Sequence, residues 1–186
     1  MFMNKKVVVF LADGFEEIEG LTVVDLLRRA DVEVTTVSIS KDRTVHGAHG
    51  IDVQADKMFE EVQYEEQDMF VLPGGMPGTL NLGAHLGLGE VLQKAYEQKR
   101  FLAAICAAPS VFGKYEFLNG RKATAYPGFE NELKGATYVT EDVVVSDFVI
   151  TSRGMGTAIP FALALIEQLQ DKEKADSIGK AIIYYR

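Results

Sequence analysis

The residues able to do chemistry in this chain gather in four short stretches: ADGFEEIE (12–19), LPGG (72–75), AICAAP (104–109) and TSRG (151–154). The single cysteine, Cys106, stands where an apolar run stops and Ala107-Ala108-Pro109 opens a helix. Proline suits an early helical position because its missing N–H has no partner there. A strand-to-helix turn of this kind lifts a side chain into a site, as the nucleophile elbow does for serine, and a helix N-terminus favours a thiolate. The plain alternative is a buried, inert cysteine packing as a small hydrophobe. Gly74 and Gly75 form either an ordinary turn or a backbone presenting N–H groups. An N–H at Gly75 and another at Ala107 would suit an oxyanion or an oxidised sulfur. Glu16, Glu17 and Glu19 sit at a helix start, where acids often only complement the dipole. A carboxyl turned toward Cys106 instead would have its pKa raised by burial, and as a neutral acid it would donate to a thiolate.

The elements that must position these residues alternate. VVVFLA (7–12), VEVTTVSIS (32–40), DMFVL (68–72) and FLAAIC (101–106) read as strands, the first a continuous run expected of a strand buried on both faces. Helices are expected over EEIEGLTVVDLLRRA (16–30), GLGEVLQKAYEQKR (87–100), the start of APSVFGKYEF, GTAIPFALALIEQLQ (156–170) and the tail from Asp171. In the fourth of these, Ile159, Ala162, Ile166 and Leu169 share a face, and Pro160 fits only in the first turn. TVHGAHGIDVQAD reads as a hairpin or a loop ending in a short strand. The stretch from KATAYPG to TSRG holds at least two strands. The alternation predicts one α/β domain over residues 1–186 with a mostly parallel sheet covered on both faces. If the sheet is parallel at these strands, all four chemical stretches share the rim beyond the strands' carboxyl ends, where sites form in such sheets.

Composition narrows the classes. A net charge of −8 over 186 residues repels phosphate backbones, so nucleic acid is not an expected partner. No run approaches the ~20 apolar residues of a membrane span. The opening MFMNKKVVVFLAD superficially resembles a signal peptide, but its apolar run is too short and acids follow at once. A lone cysteine agrees with a reducing compartment, and the cytoplasm is expected. His46 and His49 in HGAHG have no Cys or acid nearby in sequence, which argues against a metal site; His85 lies in a Gly-rich stretch. GGMPG lacks the ending of a phosphate-binding loop, and no GxGxxG follows the first strand, so no cofactor is expected.

ADGFEEIE, VLPGG, AAICAAP and TSRGMGT, in this order, resemble the ThiJ/PfpI superfamily over nearly the whole chain, with most likeness to its DJ-one-like branch. The resemblance implies a flavodoxin-like three-layer fold related to class I glutamine amidotransferase domains, and a homodimer. It implies that Cys106 is the nucleophile and that Glu19 is the acid bonded to it. Gly75 and Ala107 are implied as backbone donors, and Arg29 as an arginine reaching an anion near the partner subunit's cysteine; Gly74, Tyr126 and His49 are further candidates for substrate or anion binding. Two positions depart from the pattern. The peptidase-like branch has histidine after the cysteine, where this chain has Ala107, so the Cys–His pair is missing. A histidine near the cysteine in the DJ-one-like branch is here Tyr126, a poor base with an ordinary pKa of about 10. AHG (48–50) and AYPG (125–128) look more like the peptidase-type branch.

The expected function is cysteine-dependent, cofactor-free chemistry on reactive carbonyls, of glyoxalase or deglycase type, with a small aldehyde or glycated substrate. The alternatives are a non-enzymatic redox sensor or chaperone acting through oxidation of Cys106, and a peptidase or amidase drawing its histidine from elsewhere, such as His49.

Overall fold

Val7 to Leu11 are wholly buried, as a β-branched run covered on both faces must be. They form strand β1 (Lys6–Leu11), an interior strand of the sheet in a computed structural model that describes residues 5–185. Residues 1–4 of the opening stretch lie outside the described ones. Helix α1 (Glu17–Arg29) and strand β2 (Glu33–Ser38) follow, then the antiparallel hairpin β3 (Thr44–His46) and β4 (Asp52–Gln54), and the short β5 (Lys57–Met58). Strand β6 (Met69–Leu72) leads to helices α2 (Gly78–Ala84) and α3 (Leu86–Glu97). Strand β7 (Phe101–Ile105) leads to α4 (Pro109–Lys114). The short strands β8 (Lys122–Ala123) and β9 (Thr137–Tyr138) pair in parallel beside the main sheet. Strands β10 (Val143–Ser146) and β11 (Val149–Ser152), then helices α5 (Ala158–Leu169) and α6 (Lys172–Ala181), complete the order.

The main sheet runs β10-β11-β7-β6-β1-β2-β5, and every pairing is parallel except β10 with β11. Counting the principal strands β1, β2, β6, β7 and β11 in chain order, their spatial order is 2-1-3-4-5, the flavodoxin-like arrangement. Period-two alternation divides the core. Val7, Val9 and Leu11 pack with α1, α5 and α6 on one face. Val8 and Phe10 pack with α3, α4 and the large aromatics Phe70, Phe112 and Phe117 on the other. The result is the three-layer α/β sandwich expected. No helix among the described residues is long and apolar enough to cross a membrane.

Three local expectations are corrected. Helix α2 lies in GTLNLGA, where Gly78 and Gly83 hide the apolar spacing and no helix was expected. The buried face of α5 is Ala158, Phe161, Ala162, Leu165, Ile166 and Leu169, whereas Ile159 is only partly covered. Strand β7 ends at Ile105, one residue before Cys106, because Cys106 leaves the extended conformation altogether. Pro160 does fall in the first turn of α5.

Candidate active site

Cys106 has φ of 65°. That left-handed conformation costs a residue with a side chain roughly 1–3 kcal/mol and persists only where the surroundings over-determine it. Here they do. The Cys106 N–H donates to the Ser152 carbonyl at the end of β11 (2.9 Å), and the Tyr126 N–H donates to the Cys106 carbonyl (2.8 Å). Both peptide groups of the turn are therefore pinned, and the thiol projects from the strand end. The Ser152 hydroxyl is itself tied to the Asp142 carbonyl and to Thr157 Oγ1, each at 2.7 Å. Helix α4 begins directly after, with Ala108 as its N-cap and Pro109 in its first turn, but it runs only six residues. The donors that reach the sulfur are specific ones, the Gly75 and Ala107 N–H groups.

Glu19 faces this sulfur from the first turn of α1. It is 1% exposed. Its Oε2 accepts from the Gly74 N–H (2.9 Å), while Oε1 is buried with no geometric partner among the described residues. Gly74 is required by close approach: a Cβ there would lie 2.6 Å from Cys106 Cβ and 2.7 Å from Glu19 Oε2. Gly75 is required by its φ of 92°, which aims its N–H at the thiol. Burial pushes the Glu19 carboxyl up to about 7, against weaker pulls downward from the Cys106 and Gly74 hydrogen bonds. Burial, followed by the charge and hydrogen bond of Glu19, pushes Cys106 up to about 12, while the Ala107 and Gly75 amides oppose the rise. Two anions in this space are thus excluded, and the pair carries at most one negative charge near neutrality. Near neutrality a thiolate on Cys106 requires Glu19 to hold the remaining proton.

The other expected residues fall in three places. Tyr126 is half-exposed, with its backbone on Cys106 and its ring against Gly154, so this contact is made by any residue type with an N–H. His49 meets Glu17 instead of Cys106: its N–H donates to Glu17 Oε1 (2.7 Å), its Nδ1 lies 2.9 Å from Glu17 Oε2, and Glu16 Oε2 is 3.4 Å away. Hydrogen bonding to Glu17 and the charge of Glu16 raise the His49 pKa. Burial pushes Glu17 up, but the His49 ring and the backbone N–H bonds outweigh it and leave Glu17 below the ordinary value. Arg29 lies ten residues beyond Glu19 on α1, about 15 Å along the axis, and pairs with Asp25 (2.6 Å); within one chain it is not brought to Cys106.

The expectation that HGAHG has no acids nearby is corrected. The hairpin folds onto GFEEIE through Gly14 N–H to His46 carbonyl (2.7 Å) and Ala48 N–H to Phe15 carbonyl (2.9 Å). Ligand-type atoms of Glu16, Glu17 and His49 then lie within 4.8 Å of one another, close enough to hold a metal ion. This contact spans about thirty residues and depends on the hairpin's pairing, so no local signal announced it. The Ser152 carbonyl was likewise missed, because a backbone acceptor has no residue-type signature.

Residues 5–168 match the model of the DJ-1/PfpI family. The chain belongs to the DJ-1/PfpI family. DJ-1 homolog A of Arabidopsis thaliana is 37% identical over 97% of this chain and 47% of its own length, so the chain spans about half of that relative. The solved structure of oxidized Toxoplasma gondii DJ-1 superposes with a TM-score of 0.94 at 38% identity, covering 98% of this chain and 100% of that one. A Schizosaccharomyces pombe family member named glutathione-independent glyoxalase DJ-1 is 28% identical over 95% of this chain and 97% of its own length.

The raised Glu19 pKa has a consequence for stability. Between its ordinary value of 4.5 and its folded value of about 7, the folded chain holds a proton that the unfolded chain has released. The contribution of Glu19 is therefore most favourable below the lower value and is lost as pH rises through the upper one. The full difference amounts to roughly 3 kcal/mol. Urea unfolding across this window should show wild-type stability falling with pH relative to Glu19→Gln; parallel curves would contradict it.

Proposed function

We propose that the chain is a cofactor-free, cysteine-dependent enzyme for reactive carbonyl compounds, working in the cytoplasm and converting methylglyoxal to lactate or acting on the related adducts of glycated groups. The observation that carries this reading is the buried Cys106–Glu19 pair limited to a single charge, with the Gly75 and Ala107 amides on the sulfur. The thiolate adds to the aldehyde carbon, the carbonyl π pair moves to oxygen, and Glu19 gives its proton to that oxygen. The product is a hemithioacetal. Glu19, now a carboxylate, takes the proton from the former aldehyde carbon and returns it to the neighbouring ketone carbon, while proton exchange between the two oxygens completes the isomerisation. The aldehyde carbon is oxidised to a thioester and the ketone carbon is reduced to an alcohol, so no external oxidant or reductant is needed. Water then cleaves the thioester, releasing the hydroxy acid and restoring the thiol and the shared proton. A carboxyl with a pKa near 7 is matched to both proton transfers. The glyoxalase name of the fission-yeast relative supports the same chemistry.

The same cradle favours a second reading, a redox sensor. A sulfinate on Cys106 would receive the Gly75 and Ala107 N–H groups and the Glu19 O–H. The hydrolase reading calls for a histidine at the thiol, and each of the three is engaged elsewhere: His49 with Glu17, His46 with Asp52 (2.7 Å), and His85 as the cap of α3, accepting from the Leu88 N–H (2.9 Å).

A homodimer is part of the proposal. Ile18 (50% exposed) and Leu21 (37%) on α1 form an apolar face with Ile51 (54%) beside Ile159 and Ile182. A copy placed across α1 would also bring in Arg29, otherwise remote. Light scattering on the purified chain should give twice the monomer mass, and a monomer at micromolar concentration would remove Arg29 from the site.

Methylglyoxal consumption with lactate detection separates the two readings of Cys106. The enzyme reading expects turnover that is lost in Cys106→Ser and reduced 10²-fold or more in Glu19→Gln. No turnover in the wild type, with Cys106 gaining two oxygens in mild peroxide, would leave the sensor reading in its place.

A further inference from the structure

Thr157 is the N-cap of α5, where a threonine hydroxyl ordinarily accepts from the second or third N–H of the helix, yet it makes no capping bond. The hydroxyl turns back toward β11 instead. Its Oγ1 lies 2.7 Å from Ser152 Oγ, and Ser152 Oγ lies 2.7 Å from the Asp142 carbonyl oxygen. Each of these short contacts needs one proton, and a carbonyl has none to give. Ser152 therefore donates to Asp142, and Thr157 donates to Ser152. The Gly154 N–H completes the row by donating to Thr157 Oγ1 (3.1 Å). The Gly154 carbonyl, 2.9 Å from that same oxygen, is served by the Thr157 N–H (2.8 Å). Donors thus run one way, from Gly154 through Thr157 and Ser152 to Asp142, and in such a row each bond polarises the next. Ser152 is wholly buried.

This row meets both peptide groups of the cysteine turn. The Ser152 carbonyl accepts from the Cys106 N–H (2.9 Å). Gly154 lies against the Tyr126 ring, where a Cβ would stand 3.2 Å from Tyr126 Cδ2. The Tyr126 N–H in turn donates to the Cys106 carbonyl (2.8 Å). The carbonyl and the N–H of one trans peptide point in opposite directions. Holding the Cys106 carbonyl on Tyr126 therefore turns the Ala107 N–H the other way, onto the sulfur, where it acts. Both hydroxyls work through the backbone of Cys106.

We propose that Ser152 and Thr157 are positioning residues for Cys106: their coupled hydroxyls hold the Ser152 carbonyl and the 154–157 loop so that the cysteine turn keeps its sulfur on the Gly75 and Ala107 amides. The hydroxyl that a helix cap would use is directed to the turn instead. This inference rests on Cys106 being the reacting group, the reading proposed above.

The test is the rate of alkylation by iodoacetamide as a function of pH, followed by intact mass on the full chain, whose one cysteine makes the mass gain unambiguous. A hydrogen bond to the thiolate favours it, so loosening the turn disfavours it. Ser152→Ala and Thr157→Val should each slow alkylation at pH 7 about tenfold and move the midpoint of the rate profile upward. Thr157→Ser keeps the hydroxyl and should retain the wild-type profile. Ile166→Val, on the buried face of α5, lowers the Tm without touching the row and should also leave the profile in place. Glu19, which faces the sulfur, and Glu16, whose charge acts on Glu19, are unchanged in every variant. A lowered Tm with an unmoved profile in Ser152→Ala and Thr157→Val makes the row purely structural and overturns the inference. Faster alkylation in both overturns it too, because the turn would then shield the thiol. A wild type alkylated only in denaturant removes Cys106 as the reacting group, and the proposed function falls with the inference; a reactive wild type with unmoved variants overturns the positioning role alone.

Discussion

The site depends on one constraint: a thiol and a carboxyl share a buried space that tolerates a single negative charge. Glu19 is pushed up because it is buried, and Cys106 is pushed up because it is buried beside Glu19. Together they leave one proton for two groups near neutrality, and the Gly75 and Ala107 amides offset part of the cost of placing the charge on sulfur. The remaining donor, Gly74 N–H, serves the carboxyl. The glycine pair therefore divides its two amides between the two members of the pair, and neither glycine has room for a side chain.

The sheet explains why these groups meet. Strand order reverses between β1 and β6, so the connections leaving these two strands turn away from each other and leave a crevice. GFEEIE leaves β1 and LPGG leaves β6 on either side of that crevice. Strands β7 and β11 run parallel beside them, with Ile105 opposite Ser152. That register places the Ser152 carbonyl where the Cys106 N–H needs it, and the left-handed turn is held by the same ladder that builds the sheet.

Much of this was legible in the residues. Runs such as VVVFL can be buried on both faces only in a parallel, doubly covered sheet, and the four strand ends could then share one rim. The position of Cys106 before Ala-Ala-Pro marked the elbow. The selection among Glu16, Glu17 and Glu19 was not legible from the residues alone, since all three suit a helix start; it came from the family resemblance. The geometry supplies the physical difference. Glu17 turns to the β3–β4 hairpin and His49, while Glu19 turns under Gly74. Contacts made by backbone atoms, or set by a hairpin's pairing thirty residues away, left no mark in the local pattern. Helix α2 was hidden by its own glycines.

The most direct test of the shared charge is the ultraviolet thiolate band as a function of pH, taken as the difference between wild type and Cys106→Ser. One charge held on sulfur with Glu19 protonated, as the proposed chemistry requires, predicts a band already present at neutral pH. A band that appears only in strongly alkaline solution would place the charge on Glu19, leave Cys106 a neutral thiol at physiological pH, and contradict the proposed chemistry.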